Sequence, residues 1–244
     1  MMTIARTFVT GDTHGTKHFR HLEKFATFYE DDLTKKDVMI ICGDAGLTWF
    51  NDCCKNISII LSYNDLPCTI VIVDGNHENF ATLRKYPEIE KFGGPVYKLA
   101  SSVFYLQRGY VYEINGQTFF SFGGGFSYDS LSRIEHIDWW REEIPNITEM
   151  RRGQDNLKLH NNEVDYLITH TCALSDLDKL EDITGTIFDK GRENPEYFLN
   201  LYIEECKRTC KFKKHFFGHY HEDEVLDKYT TVVFESYWEI TDYK

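Results

Sequence analysis

The sequence has no apolar run approaching the roughly 18 residues a membrane span needs, so a membrane-crossing helix is excluded. It also lacks internal repeats and low-complexity segments. Basic residues are in deficit: 27 Lys and Arg stand against 39 Asp and Glu, a formal net charge of -12. Binding along a phosphate backbone depends on clustered Lys and Arg, so no extended nucleic-acid track is expected. A paired set of cysteines is missing as well. Seven cysteines at irregular spacings, with Cys53 next to Cys54, do not make a secreted disulfide framework. Free thiols in a reducing cytoplasm are expected. The opening residues, MMTIARTFVTGD, run straight into a strand, so no export signal is expected.

What is present suits a globular α/β protein. Apolar residues make up 42% and charged residues 27% of 244 positions, enough to bury a sizeable core, and one domain over 1–244 is expected. In the first half, apolar runs alternate with amphipathic stretches, the pattern of strand–helix units around a buried sheet. Thr7–Thr10 precedes GDTHG, Val38–Cys42 precedes GDAG, and Thr69–Val73 precedes DGNHE. Loops at the carboxyl ends of strands in open α/β folds converge on one crevice, so these three can share a site. Apolar spacings such as Phe19, Leu22, Phe25 and Phe28 predict helices over 16–30 and 48–62. Asn115-Gly116 between two alternating stretches predicts a tight hairpin, so antiparallel strands join after residue 100. Residues 127–163 turn charged and aromatic, predicting a helical insert with Thr148 as the N-cap of its second helix. Strands resume over 165–169, 214–217 and 229–234.

Read together, the loops offer Asp12 and His14, Asp44, Asn76 and His77, His170, and then His219 and His221. Carboxylate oxygen and neutral imidazole nitrogen suit Mn, Fe, Zn or Ni, and the absence of cysteine among them argues against a structural zinc finger. In an extended strand end residues i and i+2 point to one side, so Asp12 with His14, and His219 with His221, are expected to act as pincers. Gly11, Gly43, Gly75 and Gly218 precede these groups and are expected to let the chain turn sharply. Bound cations would reverse the local charge, so an acidic chain can still admit an anionic phosphate.

In order, GDTHG, GDAG, GNHE, LITHT and GHYH resemble the signature of the calcineurin-like metallophosphoesterases, with blocks spanning residues 11 to 221. The resemblance implies a four-layer α/β/β/α sandwich of two facing mixed sheets. It implies that Asp12, His14 and His221 hold one divalent ion, that Asn76, His170 and His219 hold a second, and that Asp44 bridges them. Manganese is favoured, with Fe, Zn, Ni or Mg as other candidates. The implied reaction is hydrolysis of a phosphomonoester or phosphodiester by water activated between two cations about 3.5–4 Å apart. His77 resembles the general acid that protonates the leaving oxygen. Many relatives carry G-D-x-x-D-R-G at the second block, where the later Asp orients that histidine. This chain has Leu47 there, followed by Thr48 and Trp49, and the missing Arg sets it apart from the eukaryotic Ser/Thr protein phosphatases.

The insert resembles an S-x-D-x-x-x-R then W-W-x-E-E stretch of some small bacterial and phage relatives. It either caps the site and places Arg133 on substrate phosphate, or its Trp139 and Trp140 only pack it down. Gly123 to Gly125 reads as a flexible loop, with an anion-binding nest as the other reading. His18, His21, His136, His160 and His215 lie outside the blocks and are read as surface or hydrogen-bonded residues, and Cys206 and Cys210 as helix packing. The rival activities are a nuclease or a 2′,3′-cyclic phosphodiesterase on the same site, and a non-catalytic scaffold. Oligomeric state is not legible.

Overall fold

The computed structural model describes residues 5–29 and 32–240; the first four residues of the opening segment and residue 30 of the first expected helix lie outside them. Three parallel strands form where the apolar runs predict them: β1 Thr7–Thr10, β2 Val38–Cys42 and β3 Thr69–Val73. They are buried on both faces, as parallel strands covered by crossovers must be. β4 Glu88–Lys91, β5 Gly94–Ala100 and β6 Val103–Leu106 extend this sheet, and β13 Trp238–Glu239 closes its other edge. The seven strands run β13-β1-β2-β3-β6-β5-β4.

The second sheet begins with the expected hairpin, β7 Tyr110–Ile114 and β8 Gln117–Phe122. Its turn residues Asn115 and Gly116 both have positive φ, 51° and 79°, as a two-residue turn matched to strand twist requires. β9 Tyr166–Thr169, β10 Lys214–Phe217, β11 Glu224–Asp227 and β12 Thr230–Val232 complete the order β11-β12-β10-β9-β8-β7. Both sheets mix parallel and antiparallel pairs.

Side-chain alternation assigns each strand to two cores. On β2, Val38, Ile40 and Cys42 face Phe119, Tyr166 and Phe216 of the other sheet, while Met39 and Ile41 face outward onto helices. Outside the first sheet lie α1 Arg20–Tyr29 and α2 Cys53–Asp65, giving Leu22, Phe25, Ile59 and Tyr63 to its outer core. After the short α3 Phe80–Leu83, the second sheet is covered by α4 Ile147–Leu159, α5 Leu174–Thr184 and α6 Tyr197–Thr209. The result is the expected four-layer sandwich. Cys206 and Cys210 pack in the outer core of the second sheet, and all seven cysteines are free. Among the described residues no helix is long and apolar enough to cross a membrane.

Several boundaries differ from expectation. α1 starts at Arg20, because residues 13 to 19 make turns such as His18 N to Thr13 O. α2 starts at Cys53, where Asp52 accepts from the Cys54 and Lys55 N–H groups. The stretch 127–163 is helical only from Ile147, being otherwise irregular with short 3-10 turns at Ser130–Ser132 and Arg141–Glu143. The cap of α4 is Asn146, reciprocated by Glu149 in a capping box, and Thr148 lies inside the helix.

Candidate metal centre

The crevice lies across the carboxyl ends of five strands. β1, β2 and β3 of the first sheet deliver Asp12 and His14, Asp44, and Asn76 and His77; β9 and β10 of the second deliver His170, His219 and His221. All eight side chains meet there. His14 Nε2 lies 3.0 Å from His221 Nε2 and 3.8 Å from Asp44 Oδ2. His170 Nε2 lies 2.9 Å from Asn76 Oδ1 and 3.3 Å from Asp44 Oδ1. His221 Nε2 is 3.9 Å from Asp12 Oδ1, and the His219 and His170 rings are 4.8 Å apart. Asp12, His14 and His221 form one group that could hold a metal ion; Asp12, Asp44 and His170 form another.

The pincers arise differently from the extended geometry expected. Asp12, His14, Asp44, His219 and His221 all have positive φ, between 34° and 70°, so these strand ends curl through left-handed conformations that cost non-glycine residues about 1 kcal/mol or more each. Of the four preceding glycines, Gly43 does adopt a positive φ, 93°. Gly75 is required for space: a Cβ there would lie 2.1 Å from Asp44 Oδ1. The run Gly123 to Gly125 is neither a free loop nor a nest. Gly124 N donates to Asp74 O and Gly125 N to Glu143 O, and Gly125 packs against His170, Asn76 and His219.

The donor set fits a cation. Asp12 and Asp44 are buried together, and every ion-pair partner they have among the described residues is a histidine. Burial and the neighbouring Asp44 push the Asp12 carboxyl well above its usual range. Burial lowers His14 to about 3 and His170 to about 4, leaving both imidazoles neutral at neutral pH. His170 Nδ1 must carry the hydrogen, because its partner at 2.8 Å is the Cys42 carbonyl. Its Nε2 lone pair therefore faces Asn76 Oδ1 and Asp44 Oδ1 with no proton among the three. Acceptors about 3 Å apart with no donor between them have the spacing of atoms bonded at 2.0–2.2 Å to a shared ion.

His77 stands at the mouth. Its backbone N–H donates to Asp44 Oδ1 at 2.8 Å, and its Nε2 is 3.9 Å from Asp44 Oδ2. Leu47 is fully buried in the outer core. Instead, the Trp49 ring lies 4.9 Å from the His77 ring at 33°. Arg133 sits over Trp49 at 5.4 Å, pairs with Asp129 at 2.7 Å and donates to the Asp138 carbonyl. It is not among the residues lining the cleft of about 370 Å³, which are His14, Lys17, Gly46, Trp49, Phe50, His77 and His221.

Reading the sequence missed four buried carboxylate or hydroxyl groups beside the site. Glu78 accepts from Tyr105 Oη and Gly46 N. Glu196 lies 3.4 Å from His219 Nε2 and, against the downward push of burial, raises that imidazole. Ser127 and Glu143 adjoin Asn76. Glu78 was visible inside the GNHE block, and Ser127 and Glu143 inside the insert pattern; Glu196 has no local signal. The histidines left unassigned are accounted for where partners exist: His18 pairs with Glu235, His21 with Thr10 and His215 with Thr169.

A two-sheet sandwich with carboxylates and imidazoles converging at its strand ends has the make-up of a metal-dependent hydrolase. The chain belongs to the calcineurin-like phosphoesterase family, whose sequence profile matches residues 5–223. It is thus a hydrolase of phosphate esters, from a family that uses divalent metals. No curated protein matches the chain. A solved structure described as a protein of unknown function, AQ665 from Aquifex aeolicus, is similar at 16% identity, covering 68% of this chain and 80% of that one, with a TM-score of 0.33.

Proposed function

We propose that the chain, acting as one catalytic domain, hydrolyses small phosphomonoesters or phosphodiesters with two divalent ions, manganese being favoured. Asp12, His14 and His221 would hold one ion and Asn76, His170 and His219 the other, with Asp44 between them. The observation that carries this reading is the donor-free meeting of His170 Nε2, Asn76 Oδ1 and Asp44 Oδ1. Such ions supply activation of water and neutralise charge on phosphate oxygens.

The chain's own groups do the rest. His77, which lines the cleft, would pass a proton to the leaving oxygen. Trp49 holds its ring by packing, the role an aspartate at position 47 plays in many relatives. Lys17, the one Lys or Arg among the described residues lining the cleft, would face incoming phosphate, while Arg133 supports Trp49. A cleft of about 370 Å³ suits a small ester. Its Trp49 and Phe50 walls favour a flat leaving group, which keeps cyclic nucleotides and short nucleic acids as a second substrate class. Free thiols at all seven cysteines support a reducing, cytoplasmic setting.

Turnover of p-nitrophenyl phosphate with Mn, Mg, Ni or Zn tests the reading. Asp44→Asn and Asn76→Ala are expected to abolish metal-stimulated hydrolysis; full activity in both would overturn it. Assays on cyclic nucleotides, RNA and single-stranded DNA separate the substrate classes. A metal-free protein without turnover would favour the scaffold.

A further inference from the structure

One residue from each half of the insert pattern, Ser127 and Glu143, comes to lie beside Asn76. Asn76 Nδ2 donates to Ser127 Oγ at 3.1 Å, Ser127 Oγ donates to Glu143 Oε2 at 2.7 Å, and Ser127 N donates to Glu143 Oε1 at 2.8 Å. All three side chains are at least 96% buried. We propose that Ser127 and Glu143 are positioning residues that fix the polarity of the Asn76 amide, forcing its oxygen toward His170 and the metal centre. The inference rests on the metal-centre reading given above.

The argument is one of donors and acceptors. An ionised carboxylate only accepts, and one Glu143 oxygen is already engaged by the Ser127 N–H. The Ser127 hydroxyl must therefore spend its single hydrogen on the other. What it has left for Asn76 is a lone pair, which only the amide NH2 can satisfy. The amide oxygen is then left facing His170 Nε2 at 2.9 Å, as a ligand must. Flipped, the amide would set oxygen against the serine lone pair and aim its NH2 at the place of a cation.

Glu143 is itself held from outside the site. The Arg108 guanidinium donates to the carbonyls of Glu142 and Glu143 and pairs with buried Asp74. Gly125 N caps the Glu143 carbonyl. The carboxylate thus has a fixed backbone, and the insert acts on the centre through hydrogen-bond direction instead of covering it.

The test is a double-mutant cycle read as Mn2+ affinity by titration calorimetry on chelator-stripped protein, with thermal melts to verify folding. Ser127→Ala is expected to weaken Mn2+ binding by about 10-fold or more in the Asn76 background. In the Asn76→Asp background the same change is expected to alter it by less than about threefold, because a carboxylate presents oxygen whichever way it turns. Glu143→Gln, which keeps the packing but must turn an NH2 toward Ser127, is expected to show the same background dependence, so the test survives a Ser127→Ala chain that does not fold. Equal losses in both backgrounds, or no loss in either, would overturn the relay alone. A wild-type protein that binds no Mn2+ would overturn the metal centre with it.

Discussion

Replacing Gly75 with alanine is a one-carbon test of how tightly the centre is built. The added Cβ would lie 2.1 Å from Asp44 Oδ1 and 2.4 Å from the Asp44 backbone nitrogen, where contacts below 3.0 Å essentially never occur. The carboxylate must therefore give way by roughly 0.9 Å, or the two strand ends must part. Asp44 Oδ1 is also the acceptor of the His77 N–H and the neighbour of His170 Nε2 at 3.3 Å, so the shift disturbs the proposed central ligand and the proposed proton donor together. A misplacement of about 1 Å in such a constellation costs on the order of 100-fold in rate, and the overpacking costs about 1–3 kcal/mol in stability. Gly116→Ala is the control: a Cβ there meets nothing within 4 Å, so only the left-handed backbone is penalised, by about 1 kcal/mol. Mn-stimulated p-nitrophenyl phosphate hydrolysis, with urea melts of each variant, measures both quantities. A folded Gly75→Ala protein within about threefold of wild-type kcat/KM would refute the reasoning.

Trp49→Ala removes the ring beside His77 and is expected to lower kcat by about tenfold or more with Mn2+ affinity unchanged; parallel loss of both would show that Trp49 supports the metal ligands instead. Arg108→Ala strands Asp74 in the interior, since the two side chains are 5% and 7% exposed, and urea melts are expected to show a loss of about 3–5 kcal/mol. Burial pushes the Asp37 carboxyl up, but the Arg6 and Thr34 N–H groups outweigh it and hold the folded value below the usual one. Its contribution is therefore full above the unfolded value near 3.9 and is lost as pH falls through the lowered folded value. The stability gap between wild type and Asp37→Asn is expected to narrow from pH 7 to pH 3, and a gap that widens toward acid would contradict the sign.

The parts of the molecule governed by local rules were readable in advance. Strands β1 to β3 announce themselves as short β-branched runs ending in Gly-Asp or Asp-Gly, and Asn115-Gly116 specifies its turn through the φ values it needs. The asparagine cap of α4 was equally readable, since Asn146 stands three residues before Glu149. The hairpin β4–β5 is short, charged and half-exposed at a sheet edge, with little apolar alternation to betray it. Residue identities assembled the candidate ligand set, but the left-handed backbone at Asp12, His14, Asp44, His219 and His221 depends on contacts between distant loops. So does the meeting of Ser127, Glu143 and Asn76, which follows from where the Arg108–Asp74 pair anchors the chain.

The crevice draws on both sheets, and this has a mechanical corollary. Asp12, Asp44 and Asn76 ride on one slab and His170, His219 and His221 on the other, so any ion gripped by both works as a rivet through the edges of two plates. Sliding one plate over the other changes the bite on that rivet. Phe119 and Tyr166, stacked at 5.1 Å as neighbours on the inner face of the second plate, lie in the seam along which such sliding would run.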